Sequence, residues 1–375
     1  MGFHVWLVCK TLAVLDDVSS IVVLKHGKGL NKQLPHKTIY ILNWDSNLDT
    51  QNNLFDRCTV RNCIITKDRH YFGEDYSNFD ALLFTESFLG SNYKPQKGSK
   101  ALRIFASPSP PHNKITCDKH YDNFFNLTFT YRLNSDIVWK YFVVRNFTRN
   151  IIAPNLAPVW DVNPNSVNIN IKSIIQRKMR PVAYMECDSN YDSWKKTYLT
   201  KLENNLSQYF LKIDTYHCSG CRYGNCKNML RSDYYFYIIF EDYFAEDYVT
   251  KKLLYAYDNY VVPIIYGGAN YSRFLPPHSY IDAYETNPND IAAEIQRSLN
   301  SYADYEKYFK WRNIYTIENY QPFCDLCDVL NRRKSRITPA KKDFREWWNG
   351  KGGIKLCSLQ QFNNGTPESD LKLAS

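Results

Sequence analysis

Short apolar runs recur along the chain, separated by segments whose apolar residues fall three and four apart. TIYILNW (Thr38 to Trp44), FDALLFT (Phe79 to Thr85) and ALRIFAS (Ala101 to Ser107) are aromatic and β-branched runs of strand length in the first half. RPVAYMEC (Arg180 to Cys187), FLKIDTY (Phe210 to Tyr216), YYFYIIF (Tyr234 to Phe240) and VVPIIY (Val261 to Tyr266) continue the series in the second. Between them, a helix is expected from about Ser193 to Tyr209. Another is expected where Val249, Leu253 and Tyr257, joined by Leu254 and Ala256, line one face. Strand, helix and strand make a parallel crossover, and such sheets hold ligands outside the carboxyl ends of their strands. Glu241 is thereby placed at a strand end, and Lys251 and Lys252 at a helix start, where a diphosphate would fit. The plainer alternative for the lysines is a solvated pair on a surface helix.

The stretch from Ala153 to Ser166, APNLAPVWDVNPNS, carries three prolines and several turn formers and is taken as the connection between domains. Four parts result: an N-terminal segment (1–36), a first α/β domain (37–160), a second α/β domain (161–320) and a Cys-containing tail (321–375). Two α/β domains with a cleft between them suit an enzyme that uses a nucleotide sugar. HVWLVCKTLAVL, from His4 to Leu15, is apolar but interrupted by Lys10 and ended by Asp16 and Asp17. A spanning helix needs roughly 20 apolar residues, so this run is read as a remnant of a membrane anchor or as a buried first element.

Composition narrows the class. Of 375 residues 44% are hydrophobic and 30 are tyrosine, which makes the chain globular rather than disordered. The net charge of +9 comes from 47 basic and 38 acidic residues spread along the chain. That balance suits a small anionic ligand and lacks the dense basic blocks of a nucleic-acid arm. Eleven cysteines include CSGCRYGNC (Cys218, Cys221, Cys226) and CDLC (Cys324, Cys327). Such pairs could hold zinc, but Asn126, Asn146, Asn205, Asn270 and Asn364 each begin an N-x-S/T sequon. Sequons and cysteines together favour the secretory pathway and disulfides, with Cys324 and Cys327 bonded to each other or to neighbouring cysteines.

The block FEDYFAEDYVTKKLLYAYDNYVVPIIYGGANYSRFLPPHSYIDA, from Phe240 to Ala283, resembles the signature of the α1,3-fucosyltransferases. FFNLTFTYRLNSDI (Phe124 to Ile137), YEKYFKWR (Tyr305 to Arg312) and FCDLC (Phe323 to Cys327) agree with other parts of that family. DTYHCSGC and DFREWWNGKGGIKLC are most like its core α1,3 branch. The resemblance implies a two-domain GT-B-like fold and GDP-fucose held by the carboxyl-terminal domain. It also implies a glycan or glycoprotein acceptor, inversion without a catalytic metal or other cofactor, and a Golgi type II membrane protein. Lys252 matches the family's phosphate-contacting lysine, Tyr248 and Thr250 match the same loop, and Glu241 keeps the glutamate of Phe-Glu-Asn.

Several positions depart from the pattern. Lys251 stands where the family has a glutamate that accepts from ribose hydroxyls, and a lysine cannot accept. Asp242 replaces an asparagine and Tyr243 a serine. Two arginine positions become Asp192 and Lys195, of which Lys195 keeps the charge without the bidentate fork. An inverting transfer needs a base for the acceptor hydroxyl, and Pro108 occupies the position of the family's usual glutamate. His112 and Glu86 are the substitutes within reach. Two readings follow: a divergent fucosyltransferase moving L-fucose to a GlcNAc hydroxyl, or a catalytically silent relative that binds glycans or partners on the same fold.

Overall fold

The computed structural model describes residues 37–45, 48, 54–73, 75–90, 100–111, 115–161, 169–186, 193–217, 226–333, 339–350 and 357. The apolar run at 4–15 lies outside them, as do His112, Asp192 and Asn364. Eight strands come first: β1 (Ile39–Asn43), β2 (Cys63–Thr66), β3 (Ala81–Phe84), β4 (Leu102–Ser107), β5 (Leu127–Thr130), β6 (Ile137–Val138), β7 (Phe142–Asn146) and β8 (Ile151–Ala153). Then come α1 (Ile169–Ile175), β9 (Arg180–Glu186), α2 (Ser193–Ser207), β10 (Ile213–His217), α3 (Cys226–Asp233), β11 (Tyr234–Phe240), α4 (Lys252–Asp258) and β12 (Val262–Tyr266). The chain continues through β13 (Ile281–Asp282), α5 (Pro288–Asn300), α6 (Tyr302–Glu306), β14 (Tyr315–Asn319) and α7 (Phe323–Arg332).

Two parallel sheets result, ordered β2-β1-β3-β4-β5-β6 and β10-β9-β11-β12-β13. Each reverses its direction of growth beside its first strand, between β1 and β3 and between β9 and β11. Open α/β sheets form ligand crevices at such points. The expected GT-B-like α/β class is therefore met by two Rossmann-like sheets.

The second sheet is covered as its periodicity predicts. Leu202 and Leu206 of α2 meet Ile291, Ala292 and Ile295 of α5 on one face, while Leu253, Ala256 and Tyr257 of α4 join Met229 and Leu230 of α3 on the other. Burial of each such leucine contributes about 1.5–3 kcal/mol. α5 starts where Asn287 accepts from the Asn289 amide and Pro288 takes the first turn.

The first sheet is covered differently. Among the described residues its crossovers contain only short 3₁₀ turns, and one face is closed by an aromatic cluster that includes Phe84, Phe105 and Phe125. The other face is closed by the far end of the chain, with Phe323, Leu326, Cys327 and Leu330 of α7 packed against Ile41, Leu83 and Ile104. Phe344 and Trp348 pack on Phe105. Residues expected to form a separate tail thus belong to the core of the first sheet. An antiparallel sheet, β14-β7-β8, carries the chain back to it.

The carboxyl ends of the two parallel sheets meet. Tyr131, after β5, stands edge-on to Tyr248 with ring centroids 5.6 Å apart. The Leu133 amide donates to Asp247 Oδ2 at 3.1 Å.

Candidate active site

At the β9/β11 reversal a cavity of about 610 Å³ opens, a size that suits a nucleotide. Tyr184, Met185 and the stretch from Tyr237 to Phe240 form its strand walls, with Leu254 and Tyr255 of α4 adding apolar surface. Four lysines reach it from three helix starts: Lys195 from α2, Lys227 from α3, and Lys251 and Lys252 from α4. Asp258 is the acid in the lining. Because α4 has only 7 residues, the positive field here comes from the ammonium groups more than from its dipole.

The loop before α4 is fixed by Glu241. Its Oε1 accepts from the Thr250 amide at 3.0 Å and its Oε2 from the Thr250 hydroxyl at 2.8 Å. Glu241, Tyr248 and Thr250 are buried and stand outside the cavity lining, so they act on the site by holding Lys251 and Lys252 in place. Gly267 permits this approach, since a Cβ there would lie 2.3 Å from Tyr271 Oη and 3.1 Å from Glu241 Cγ. Lys252 Nζ donates to the Phe240 carbonyl at 3.3 Å and pairs with Asp242. The asparagine-to-aspartate departure therefore tempers the charge of the lysine it touches.

Burial pushes the Glu241 carboxyl from its ordinary value of 4.5 up to about 7, against the lowering effect of its Thr250 bonds and of Lys252. A carboxyl raised on folding binds its proton more tightly in the native state, so its contribution is full below pH 4.5 and is lost as pH rises through about 7. Glu241→Gln removes that dependence. Thermal melting from pH 4.5 to 8 should show wild-type stability falling relative to the variant across this window, and parallel curves would contradict the assignment.

The first sheet offers a carboxylate at its own reversal. Glu86 follows β3, where the Thr85 amide and hydroxyl both donate to Asp45. The Ser107 hydroxyl, at the end of β4, donates to Glu86 Oε1 at 2.6 Å. Ser107 immediately precedes Pro108, so the Glu86 carboxylate lies next to the position where the sequence lacks its expected glutamate. The Pro108 carbonyl accepts from the Tyr141 hydroxyl at 3.1 Å. Burial raises the Tyr141 hydroxyl pKa, with Glu241 and Asp242 adding to the shift. Burial also raises the Tyr131 hydroxyl pKa, opposed by the charge of Arg132 and reinforced by those of Asp247, Glu86 and Glu246. Glu86 thus sits on the side of the first sheet that faces the donor loop.

Of the residues singled out from sequence, the structure gathers Lys195, Lys251 and Lys252 around one cavity and sets Glu86 across from them. Lys227 was missed. The turn-rich cysteine cluster before it hid the start of α3, and a lysine at an unrecognised helix start carries no local signal. Cys324 and Cys327 are both in disulfides, but with Cys58 and Cys63 rather than each other; a third bond joins Cys117 to Cys357. Their partners lie 266 and 264 residues away because α7 packs beneath the first sheet. Among the sequons, Asn270 is exposed, Asn146 ends β7, Asn205 is on α2, and half-buried Asn126 accepts from the Arg103 amide.

Residues 35–142 match the family described as "Fucosyltransferase, N-terminal", and residues 175–347 match "Glycosyltransferase family 10 (fucosyltransferase) C-term". Alpha-(1,3)-fucosyltransferase C of Drosophila melanogaster is 32% identical over 81% of this chain and 72% of its own length. Glycoprotein 3-alpha-L-fucosyltransferase A of the same organism is 25% identical over 89% of this chain and 64% of its own length. A solved alpha1,3-fucosyltransferase with GDP-fucose shares 14% identity at a TM-score of 0.48, covering 83% of this chain and 95% of that one.

Proposed function

Because the chain belongs to the fucosyltransferases of glycosyltransferase family 10, we propose that it transfers L-fucose from GDP-fucose to a GlcNAc hydroxyl of a glycan, in α1,3 linkage and with inversion. The observation that carries this reading is the four-lysine cavity at the β9/β11 reversal. GDP is the leaving group, and negative charge grows on its β-phosphate as the fucosyl C–O bond breaks. Lys195, Lys227, Lys251 and Lys252 offer cations where that charge develops, and the apolar walls suit a nucleoside. Glu86 takes the acceptor hydroxyl proton in place of the missing glutamate, with Ser107 orienting its carboxylate. The three disulfides among the described residues support folding in an oxidising compartment, in keeping with a lumenal Golgi enzyme.

Lys252→Ala tests the donor site. Calorimetric titration with GDP should show affinity weaker by about 1.5–3 kcal/mol, the scale of a charge-assisted hydrogen bond. Undiminished affinity would remove Lys252 from the diphosphate site. GDP-fucose binding without transfer to any GlcNAc-bearing acceptor would favour the catalytically silent relative.

A further inference from the structure

Beside the lysine cavity, at the carboxyl end of the second sheet, four aromatic side chains form an open wall. Trp194 and Tyr266 lie 5.5 Å apart with their planes 32° from parallel. Phe244 meets Tyr284 at 4.6 Å and 64°, and Tyr284 stands at 90° to Tyr266. Trp194 is 40%, Phe244 49% and Tyr284 53% exposed. Single exposed apolar residues are ordinary on a protein surface, but a contiguous group at a sheet's ligand-binding edge marks a contact site.

The wall is continuous with the donor site. Phe240 lines the cavity and packs edge-on against Trp194, and the Lys195 ammonium lies 5.5 Å from the Trp194 ring centroid. A close approach seats Phe244 on this edge: a Cβ at Gly268 would stand 2.8 Å from the Ala245 amide nitrogen and 3.1 Å from Phe244. The two glycines after β12 therefore hold the loop against the strand end as well as making room for Glu241.

We infer that the Phe244–Tyr266–Tyr284 wall is an acceptor subsite on the second sheet that stacks a hexopyranose ring of the glycan next to the sugar being modified. The inference rests on the fucosyltransferase reading for the placement of donor and acceptor. Rings meeting at 64° and 90° make facets rather than a parallel-sided slot, which suits the C–H faces of a pyranose better than a planar base. The nucleoside already has the deeper cavity. Polar groups for the sugar hydroxyls stand at the rim: the Tyr266 and Tyr284 hydroxyls, and Asp282, whose Oδ1 accepts from the Tyr284 amide at 3.1 Å.

The test is titration of wild type, Phe244→Ala, Tyr284→Ala and the double variant, with GDP and separately with a GlcNAc-terminated biantennary N-glycan, followed by NMR. Both side chains are half exposed, so truncation leaves the core intact. The double variant should bind the glycan about tenfold more weakly or worse, the scale of one or two lost ring contacts, while GDP affinity stays within about twofold. Unchanged glycan affinity, or a wild type that does not bind the glycan, overturns the subsite. GDP affinity falling in step with the truncations also overturns it, by making the wall a nucleotide platform. Failure of wild type to bind GDP counts against the fucosyltransferase reading instead, and a glycan affinity that still depends on Phe244 and Tyr284 would then leave the wall standing as a glycan site.

Discussion

Glu86→Gln should slow fucose transfer by about 10²–10⁴-fold, roughly 3–5 kcal/mol of barrier, with GDP affinity unchanged. Gln keeps the size of the side chain and an oxygen for the Ser107 hydroxyl, but it cannot take a proton. The size of the effect follows from the absence of a base at Pro108, whose carbonyl is instead held by Tyr141. Glu86 supplies a carboxylate one strand over, fixed by the residue that precedes Pro108. Ser107→Ala should cost much less, because it loosens the carboxylate without removing it. Single-turnover transfer from GDP-fucose, measured alongside GDP titration, separates the step from binding. If Glu86→Gln transfers as fast as wild type, the base lies elsewhere, and His112→Ala becomes the decisive variant.

Removing both bonds that tie α7 to the first sheet should cost about 5 kcal/mol, and removing either alone far less. Cys58–Cys324 and Cys63–Cys327 close chain loops of 266 and 264 residues, and in the loop-entropy account one closure of that length restrains the unfolded chain by about 5 kcal/mol. Once one bond exists, the other closes only a short remaining loop, since its cysteines stand five and three residues from the first pair. The two costs should therefore be strongly non-additive. Denaturation of Cys58→Ala/Cys324→Ala, Cys63→Ala/Cys327→Ala and the four-fold variant measures this, with a fall on the order of 10 °C for the last. If the losses of the two paired variants add up to that of the four-fold variant, local packing of the cystines rather than loop closure governs their contribution.

The departures from the family pattern look different once their neighbours are known. Asp242 alone reads as a replaced asparagine, yet it is paired with Lys252. Lys251 alone reads as the loss of a ribose acceptor, yet it joins Lys195 and Lys227 around the same cavity. Charge removed at one position and added at another is not visible as a balance until the helix starts are brought together.

The sequence by itself determined the elements whose information is local. β1, β3, β4, β9, β11 and β12 are short runs of β-branched and aromatic residues, and α2 shows a helical period, so their positions were legible within a residue or a few. Glu241 after β11 and the lysines before α4 followed from that register, and the ordered motifs carried the family. Tertiary structure alone decided the rest. α7 closes the first sheet because Phe323, Leu326 and Leu330 find apolar partners far earlier in the chain, and the cysteines pair across 266 and 264 residues only once the helix is seated. Lys227 joins the cavity, Glu86 reaches Ser107, and Phe244 meets Tyr284 through strand order and close backbone approach. None of these leaves a periodic trace in the chain, because side chains separated by scores of residues become neighbours only when sheet pairing and burial bring their elements together.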